Sequence, residues 1–255
     1  MLLTSHELLR KGGLLAAAVA AGGAGLSMKP PGAILNVNRL THFVDPLPIP
    51  PIAKSVGFRP DPSDHDRHLP FYRIEMRQFE AKLHRDLKPT RQWGYGGCVP
   101  GPTIETRSGK GLLVEWVNRL PRQHLLPVDH NLHGADSDQP DVRTVAHLHG
   151  AKAPPESDGY PEDWFLTGQS ALYHYPNQQD AAMLWYHDHA MGITRLNIFA
   201  GLLGGFFIRD AIEESLNLPA GKYEIPLIVY DRSLDQHAQL QSDFRDTRSS
   251  VGPRI

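Results

Sequence analysis

Two short stretches, Val145-Ala146-His147-Leu148-His149-Gly150 and Met183-Leu184-Trp185-Tyr186-His187-Asp188-His189, determine how this sequence is interpreted. Each contains a His-x-His pair inside a run of apolar, aromatic or β-branched residues, and such runs are typical of β-strands. Because side chains alternate between the two faces of a strand, both histidines of a pair lie on one face, with Cα atoms roughly 6.6 Å apart. If the two strands are neighbours, four imidazoles face one small volume.

This spacing of histidines predicts metal chemistry. Neutral imidazole suits copper, zinc, iron and nickel, and copper stands highest in the general affinity order for divalent ions. A His-x-His pair does not crowd easily onto one ion, so it serves two metal ions, or one ion together with a neighbouring strand. Incidental surface histidines are the alternative for either pair alone, but two pairs in matching strand contexts favour a metal site. The predicted ligands are His147, His149, His187 and His189.

Composition limits the class of protein. The chain has 255 residues, a formal net charge of -2, 23 glycines and 22 prolines. This length allows one large or two modest domains, and abundant glycine and proline favour short strands joined by turns. Acidic and basic residues are well mixed, so no nucleic acid partner and no anionic membrane surface is expected. The single cysteine, Cys98, excludes an intrachain disulfide, and without a neighbouring histidine it is predicted to be a small buried apolar residue.

Residues 1–33 have the pattern of an export signal. Arg10-Lys11 precede the apolar run 14–21, which is followed by small residues. The run is too short to span a bilayer. The segment is similar to a bacterial twin-arginine signal that lacks the Arg-Arg pair, and the Sec route and an uncleaved N-terminal helix are alternatives. We therefore expect export, to the periplasm, the medium or the cell surface.

The remainder of the chain divides into three parts. Residues 34–70 are rich in proline, and the run 43–51 predicts an extended strap over the surface. In residues 71–212, short strand patterns separated by turns predict an all-β sandwich. Residues 213–255 are predicted to be a linker and the truncated start of a second domain of the same kind, whose first strand is residues 225–231.

Two local features of the sandwich are also predicted. The apolar alternation that begins near residue 71 changes phase at Gln78, which predicts a β-bulge. Residues 119–143 are polar and contain prolines and glycine, so they predict a long loop. We expect the three histidines of that loop, His124, His130 and His133, to be solvated.

Four motifs occur together in this sequence. They are Pro100-Gly101-Pro102-Thr103-Ile104-Glu105, His147-Leu148-His149-Gly150, Ser157-Asp158-Gly159-Tyr160-Pro161 and Trp185-Tyr186-His187-Asp188-His189. With them, residues 40–235 resemble the first cupredoxin domain of multicopper oxidases, and most closely the branch of bacterial spore-coat laccases and bilirubin oxidases. The resemblance implies a cupredoxin-like Greek-key β-sandwich, and it names copper as the metal.

The resemblance also implies roles for individual residues. Enzymes of this family pass electrons from a substrate at a type 1 copper to a trinuclear cluster, where O2 becomes water. His147 is implied to be a type 2 copper ligand, and His149, His187 and His189 are implied to be type 3 ligands. Asp158 matches an acidic residue that assists proton delivery near the cluster; a simple turn residue before Gly159 is the alternative. Asp188 points to the opposite strand face from its neighbouring histidines, which is compatible with a hydrogen-bonding role.

The sequence departs from the family in one important respect. A type 1 copper needs a cysteine and two histidines, and no His-Cys-His sequence is present. Complete enzymes of this family have three cupredoxin domains and take further cluster histidines from a C-terminal one. We therefore expect half of the ligands of a trinuclear site here, completed by C-terminal cupredoxin domains or by another chain, and no full turnover by the isolated chain.

Three functions follow from these expectations. The first is the amino-terminal portion of a laccase-like multicopper oxidase, which couples one-electron oxidation of an organic or metal-ion donor to reduction of O2. The second is a non-catalytic copper-binding or structural cupredoxin module. The third, a zinc hydrolase, is less favoured because that class gathers its histidines and carboxylate on one loop.

Overall fold

The computed structural model describes residues 33–242, and within that range the chain forms eleven β-strands and two short α-helices. The strands are β1 (Gly57–Asp61), β2 (Asp64–Ala81), β3 (Thr90–Tyr95), β4 (Gly101–Arg107), β5 (Leu112–Asn118), β6 (Arg143–Thr144), β7 (Ala146–His149), β8 (Phe165–Leu166), β9 (Ser170–Tyr175), β10 (Ala182–Asp188) and β11 (Leu203–Arg209). Helix α1 (Thr194–Ala200) connects β10 to β11, and helix α2 (Ala211–Ser215) follows β11. The predicted signal, apart from residue 33, lies outside the described residues, as do residues 243–255.

The strands form two main sheets. The first has the order β1-β2-β5-β9, with β3 paired to the distal part of β2, and the second has the order β4-β11-β10-β7. Strands β6 and β8 form a separate two-stranded ribbon. Most neighbours are antiparallel, but β2 and β5 are parallel, and so are β4 and β11. The prediction of an all-β sandwich is confirmed.

The core between the sheets follows from the alternation of side chains along each strand. Tyr186 of β10 is fully buried, and its ring lies 5.1 Å from that of Trp116 and 5.0 Å from that of Tyr95. Its hydroxyl donates to the carbonyl of Pro102 at 2.6 Å. Opposite it stands Gly204, where a Cβ would lie 2.2 Å from the tyrosine ring. One face of β10 is therefore fixed in the core, and the alternate residues point outward.

The β-bulge predicted at Gln78 is wrong. Strand β2 keeps one continuous register with β3 and with β5. The two apolar phases instead belong to two faces of one regular strand. Ile74 and Met76 face the main core, whereas Phe71 packs with Leu113 in a small separate cluster on the other face. Because both faces of β2 carry apolar contacts, the change of phase does not require an inserted residue.

The strap is shorter than predicted. Residues 33–56 contain one 3-10 turn, Val37–Arg39, and no long strand, but the β1–β2 hairpin begins at Gly57, inside the range assigned to the strap. The strap is held by backbone hydrogen bonds, from Ala53 to the carbonyl of Thr103 at 2.8 Å and from Val56 to the carbonyl of Phe71 at 2.7 Å. It therefore touches both sheets.

Residues 225–231, predicted to open a second domain, do not form a strand in the structure. Leu227 is 61% exposed and Val229 is 95% exposed. An extended segment becomes a strand only when a neighbour satisfies its backbone groups, and no strand of the described part of the chain pairs with this one. The domain boundary near residue 213 stays a prediction. No helix among residues 33–242 is long and apolar enough to cross a membrane.

The β1–β2 hairpin contains a buried acid that makes stability depend on pH. Asp61 is fully buried and accepts hydrogen bonds from the amide and hydroxyl of Ser63 and from the guanidinium of Arg67. Burial by itself raises the pKa of Asp61, but the hydrogen bonds outweigh it and lower the pKa to about 2. Because the folded pKa lies below the ordinary value of 3.8, this stabilisation is present above about pH 4 and is lost as the pH falls toward 2.

We expect Asp61→Asn to destabilise the chain at pH 7 by about 1.5–3 kcal/mol, the usual contribution of hydrogen bonds to a charged group. Urea unfolding at several values from pH 2.5 to 7 should show the difference shrinking toward acid. Asp64→Asn is the control, since Asp64 is exposed in the same hairpin and should change stability by less than about 0.5 kcal/mol. A difference that is constant with pH would contradict the prediction.

Candidate metal centre

The two His-x-His pairs lie on adjacent strands. Strand β7 is antiparallel to β10, with His147 directly opposite His187 and His149 directly opposite Trp185. Since residues opposite one another in a sheet point to the same face, these side chains share one surface. Leu148, between the first two histidines, is 1% exposed and belongs to the core, as expected from alternation.

The fourth histidine continues this arrangement just beyond the end of β10. The backbone N–H of His189 donates to the carbonyl of Val145 at 2.8 Å, which extends the pairing of the two strands. Its ring centroid lies 5.2 Å from that of His147 and 5.5 Å from that of His187. The structure thus brings together all four histidines that the sequence singles out.

The imidazole nitrogens face one another closely enough to share metal ions. One nitrogen from each of His147, His149 and His187 lies within 4.8 Å of the other two. Nδ1 of His149 is 3.4 Å from Nε2 of His187. Such nitrogen atoms are ligands for copper and zinc, which are bound at about 2 Å.

Two backbone carbonyls set the tautomers of this cluster. Nδ1 of His147 lies 2.5 Å from the carbonyl of Asp158, and Nδ1 of His187 lies 2.8 Å from the carbonyl of Asp188. A carbonyl oxygen only accepts, so each Nδ1 carries the proton and each Nε2 keeps its lone pair. Hydrogen bonds of this kind orient metal-binding histidines in proteins generally.

Burial keeps His187 in the form that binds metals. The residue is 4% exposed, and burial lowers the pKa of His187 to about 4, with a smaller contribution in the same direction from the neighbouring histidines. Neutral imidazole is the metal-binding form. The ring therefore needs no loss of a proton near neutral pH before it binds.

Trp185 forms a wall of the site, a role that sequence reasoning missed. Its ring is stacked on that of His187 at 4.1 Å and 28°, and on that of His149 at 5.3 Å and 24°. The sequence does carry a signal for this role: Trp185 lies two residues before His187 on a strand, and residues i and i+2 share a face. The stack fixes the planes of both imidazoles.

His189 provides a direct test of whether the residues fit a metal ion. Its Nδ1 atom is buried and has no hydrogen-bond partner among residues 33–242. A buried polar atom without a partner costs free energy, and a metal ion would satisfy it. The nitrogens that lie within 4.8 Å of one another belong to His147, His149 and His187, and the ring of His189 lies next to them. A donor set of imidazoles fits copper.

Asp158 lies at the edge of the cluster. One carboxylate oxygen is 3.6 Å from Nδ1 of His147, and the side chain is 46% exposed. The next residue, Gly159, has φ +81°, and a Cβ there would lie 2.1 Å from the carbonyl oxygen of Ala146. The glycine lets the loop pack directly on β7, so that Asp158 reaches both solvent and a histidine.

Behind the cluster, Asp188 faces the interior and is fully buried. Its carboxylate accepts from the backbone N–H of Val145 and of Ala190, both at 3.0 Å, and from the side-chain amide of Asn197 at 2.7 Å. Burial raises the pKa of Asp188 to about 7, while these hydrogen bonds favour the ionised form.

The expectation that His124 is solvated is wrong. It is 8% exposed, its ring is 4.3 Å from that of Trp93, and its Nε2 is 3.0 Å from Oδ1 of Asn197. The contact joins residues 73 positions apart, which no local pattern reveals. Burial lowers the pKa of His124. His130 and His133 are exposed, as expected.

Cys98 does not belong to the cluster. It is half-buried, with its sulfur 3.6 Å from the carbonyl of Tyr95, and burial raises the pKa of its thiol. Among residues 33–242, the group of side chains close enough to hold a metal contains only histidines.

Comparison with known proteins places this site in context. A family model described as multicopper oxidase matches residues 137–213, which include all four histidines and Asp158. The laccase of Bacillus subtilis (strain 168) is 46% identical over 211 residues, covering 79% of this chain and 40% of that protein. Multicopper oxidase LPR1 of Arabidopsis thaliana is 37% identical over 237 residues, covering 87% of this chain and 40% of that protein.

Solved structures show the same likeness. A multi-copper oxidase from Pediococcus acidilactici superposes with a TM-score of 0.63 and 26% identity, covering 81% of this chain and 38% of that chain. The likeness confirms the cupredoxin-like Greek-key β-sandwich. This chain spans about two fifths of the length of these relatives.

Proposed function

Because this chain belongs to the multicopper oxidase family, we propose that it is the amino-terminal portion of a laccase-like oxidase. In this proposal it supplies half of the histidine ligands of a trinuclear copper site, and the whole protein couples one-electron oxidation of a donor to reduction of O2 to water. His147 is assigned to type 2 copper, and His149, His187 and His189 are assigned to type 3 copper.

One observation carries the proposal: nitrogens of three histidines from two paired strands lie within 4.8 Å of one another, with the ring of a fourth histidine beside them. In His147 and His187 the proton lies on Nδ1, so Nε2 keeps its lone pair. The orphaned Nδ1 of His189 supports it. A structural role alone does not explain why a buried nitrogen is left without a partner, since such an atom is costly. The donor set also agrees with the copper that the family implies.

Copper, when bound, supplies one-electron transfer and a place for O2. The protein's own residues supply ligands, orientation and protons. The carbonyls of residues 158 and 188 hold the rings of His147 and His187, and the Trp185 ring packs against the cluster. Asp158 touches His147 and is half exposed, so its carboxylate is suited to carry protons from solvent toward the site.

The partners of the site follow from the same proposal. O2 is the electron acceptor, and an organic molecule or a metal ion is the donor. The remaining copper ligands, including those of the type 1 copper that receives electrons, come from further cupredoxin domains or from another chain. A type 1 copper requires a cysteine thiolate, and among residues 33–242 Cys98 is not in the group of side chains close enough to hold a metal.

We also propose that the protein is exported. The proposal is supported by the basic pair Arg10-Lys11 and the following short apolar run, within residues 1–33. Fractionation of cells that produce the protein would test it, since recovery in the cytosol alone would contradict export.

Metal analysis and optical spectra test the proposed site. We expect the 255-residue chain to take up copper in preference to zinc, without an intense blue band, because Cys98 is not held with two histidines. Oxygen consumption with a phenolic donor is expected to be absent for this chain alone. Zinc as the metal bound after exposure to both ions would favour a hydrolase. An intense blue band would show a type 1 site that the described residues do not contain.

In the whole protein, steady oxygen consumption with a phenol or Fe(II) separates an oxidase from a non-catalytic copper module. We expect turnover that requires copper loading. Copper bound at full occupancy without oxygen consumption would support the module instead.

A further inference from the structure

We propose that Asn197 and His124 are positioning residues for the metal centre, acting through Asp188. None of the three side chains belongs to the group of ligands. They form a buried chain of hydrogen bonds that runs from the long loop 119–143, through helix α1, to the strand end that carries His187 and His189. Of the two tests below, only the measurement of copper affinity rests on the proposed function.

The direction of each hydrogen bond in this chain is fixed by elimination. The Asp188 carboxylate accepts from the Asn197 amide nitrogen, which also donates to the carbonyl of Arg143 at 3.1 Å. The Asn197 oxygen is left as an acceptor, so Nε2 of His124 donates to it. Nδ1 of His124 lies 2.9 Å from the backbone nitrogen of Leu126, whose N–H it can accept, and 2.8 Å from the carbonyl oxygen of the same residue. Burial lowers the pKa of His124 and so favours the neutral ring, and the single proton of that ring lies on Nε2, opposite the Asn197 oxygen, which only accepts.

His124 helps to fix which end of the Asn197 amide faces Asp188, together with the Arg143 carbonyl and the Asp188 carboxylate, which both accept from the amide nitrogen. An amide has a donor end and an acceptor end of almost the same shape. The proton on His124 Nε2 selects the oxygen, so the amide nitrogen points to Asp188. Without that proton donor, the buried Asn197 oxygen has lost its partner, and only the Arg143 carbonyl and the Asp188 carboxylate still hold the amide.

Asp188 connects the Asn197 amide to the histidines that bind the metal. Its carboxylate holds Val145, two residues before His147, and Ala190, one residue after His189. Its backbone carbonyl accepts a hydrogen bond from the Nδ1–H of His187. The same residue thus joins the two histidine-bearing strands and sets the tautomer of one ligand.

Burial makes this chain strong. Asn197 and Asp188 are 0% exposed, and His124 is 8% exposed and packed on Trp93. Hydrogen bonds in such surroundings polarise one another, and a member left without its partner is costly. The result is a rigid support whose geometry is fixed before a metal binds.

Nitrogen NMR of the metal-free protein tests the inference directly. In the wild type, His187 is expected to carry its proton on Nδ1 and His124 on Nε2. His124→Leu removes the donor to Asn197 and should shift His187 to a mixture of tautomers, whereas His124→Gln keeps a donor and should restore the wild-type pattern. Asn197→Asp places an acceptor against Asp188 and should act like His124→Leu.

Copper affinity is the second readout. Loss of a residue that supports a metal ligand through hydrogen bonds typically lowers metal affinity 10- to 100-fold. We therefore expect at least about 10-fold weaker Cu(II) binding for His124→Leu and Asn197→Asp. Asn118→Ala is the control: Asn118 is fully buried, donates to the carbonyl of Phe165 and lies at the end of β5. It should lower stability without altering His187 or copper affinity.

The outcomes are distinct. A His187 tautomer unchanged in folded His124→Leu or Asn197→Asp, or changed equally in Asn118→Ala, would overturn the inference. If His124→Leu does not fold, Asn197→Asp compared with His124→Gln decides. If the variants show the expected tautomer changes but the wild type fails to bind copper, the positioning role is retained and the proposed function is rejected.

Discussion

Replacing His187 by alanine is expected to weaken copper binding roughly 100-fold or more. Loss of a residue that only supports a ligand through hydrogen bonds already costs 10- to 100-fold in affinity, and loss of the ligand itself should cost more. His187 is central to the cluster: its Nε2 faces His149, and its ring stacks on Trp185.

Isothermal titration with copper measures this change. His133→Ala is the matched control, since His133 is an exposed histidine on the long loop and its loss should leave affinity within about twofold. Circular dichroism before titration separates lost ligation from lost fold. Wild-type affinity in folded His187→Ala would exclude His187 as a ligand.

Gly159→Ala is expected to be the most destabilising small substitution near the site. The residue has φ +81°, and the new Cβ would lie 2.1 Å from the carbonyl oxygen of Ala146 and 2.9 Å from the Cα of His147. Those atoms belong to a sheet strand and cannot move aside cheaply. Overpacking costs about 1–3 kcal/mol and positive φ adds about 1–3 kcal/mol, so we expect a loss of about 3 kcal/mol or more.

Gly168→Ala separates these two costs. Gly168 has a similar φ of +91°, but nothing lies within 4 Å of its added Cβ. Denaturant unfolding should therefore show for the control only the cost of positive φ, about 1–3 kcal/mol, and copper affinity should fall only in Gly159→Ala, where Asp158 moves away from His147. Equal effects of the two substitutions would show that the packing of this loop on β7 is unimportant.

Sequence periodicity predicted the part of the site that depends on one strand at a time. A period of two places His147 and His149 on one face and Leu148 on the other, and the structure agrees. The facing of His147 and His187 depends on strand pairing between distant segments, which alternation alone does not specify. The sequence therefore supports the facing of these two histidines only as a hypothesis, which depends on the pairing of their strands.

The errors have a common physical cause. His124 was expected to be solvated because its neighbours in the sequence are polar, but its surroundings are set by Asn197 and Trp93. A bulge at Gln78 follows from the phase change only if β2 has one buried face, whereas β2 has apolar contacts on both faces. Local composition reports nearby sequence, and burial is decided by distant parts of the chain.

The stacking of Trp185 on His187 at 4.1 Å gives the protein a built-in optical reporter. Cupric ions quench the fluorescence of nearby indoles, and of the four tryptophans only Trp185 has its ring stacked on histidines of the cluster. Trp93 and Trp116 emit from the interior, where neither is exposed to solvent. Loading of the site can therefore be followed in real time from the emission of an unlabelled chain, and Trp185→Phe identifies the share of the signal that belongs to the site.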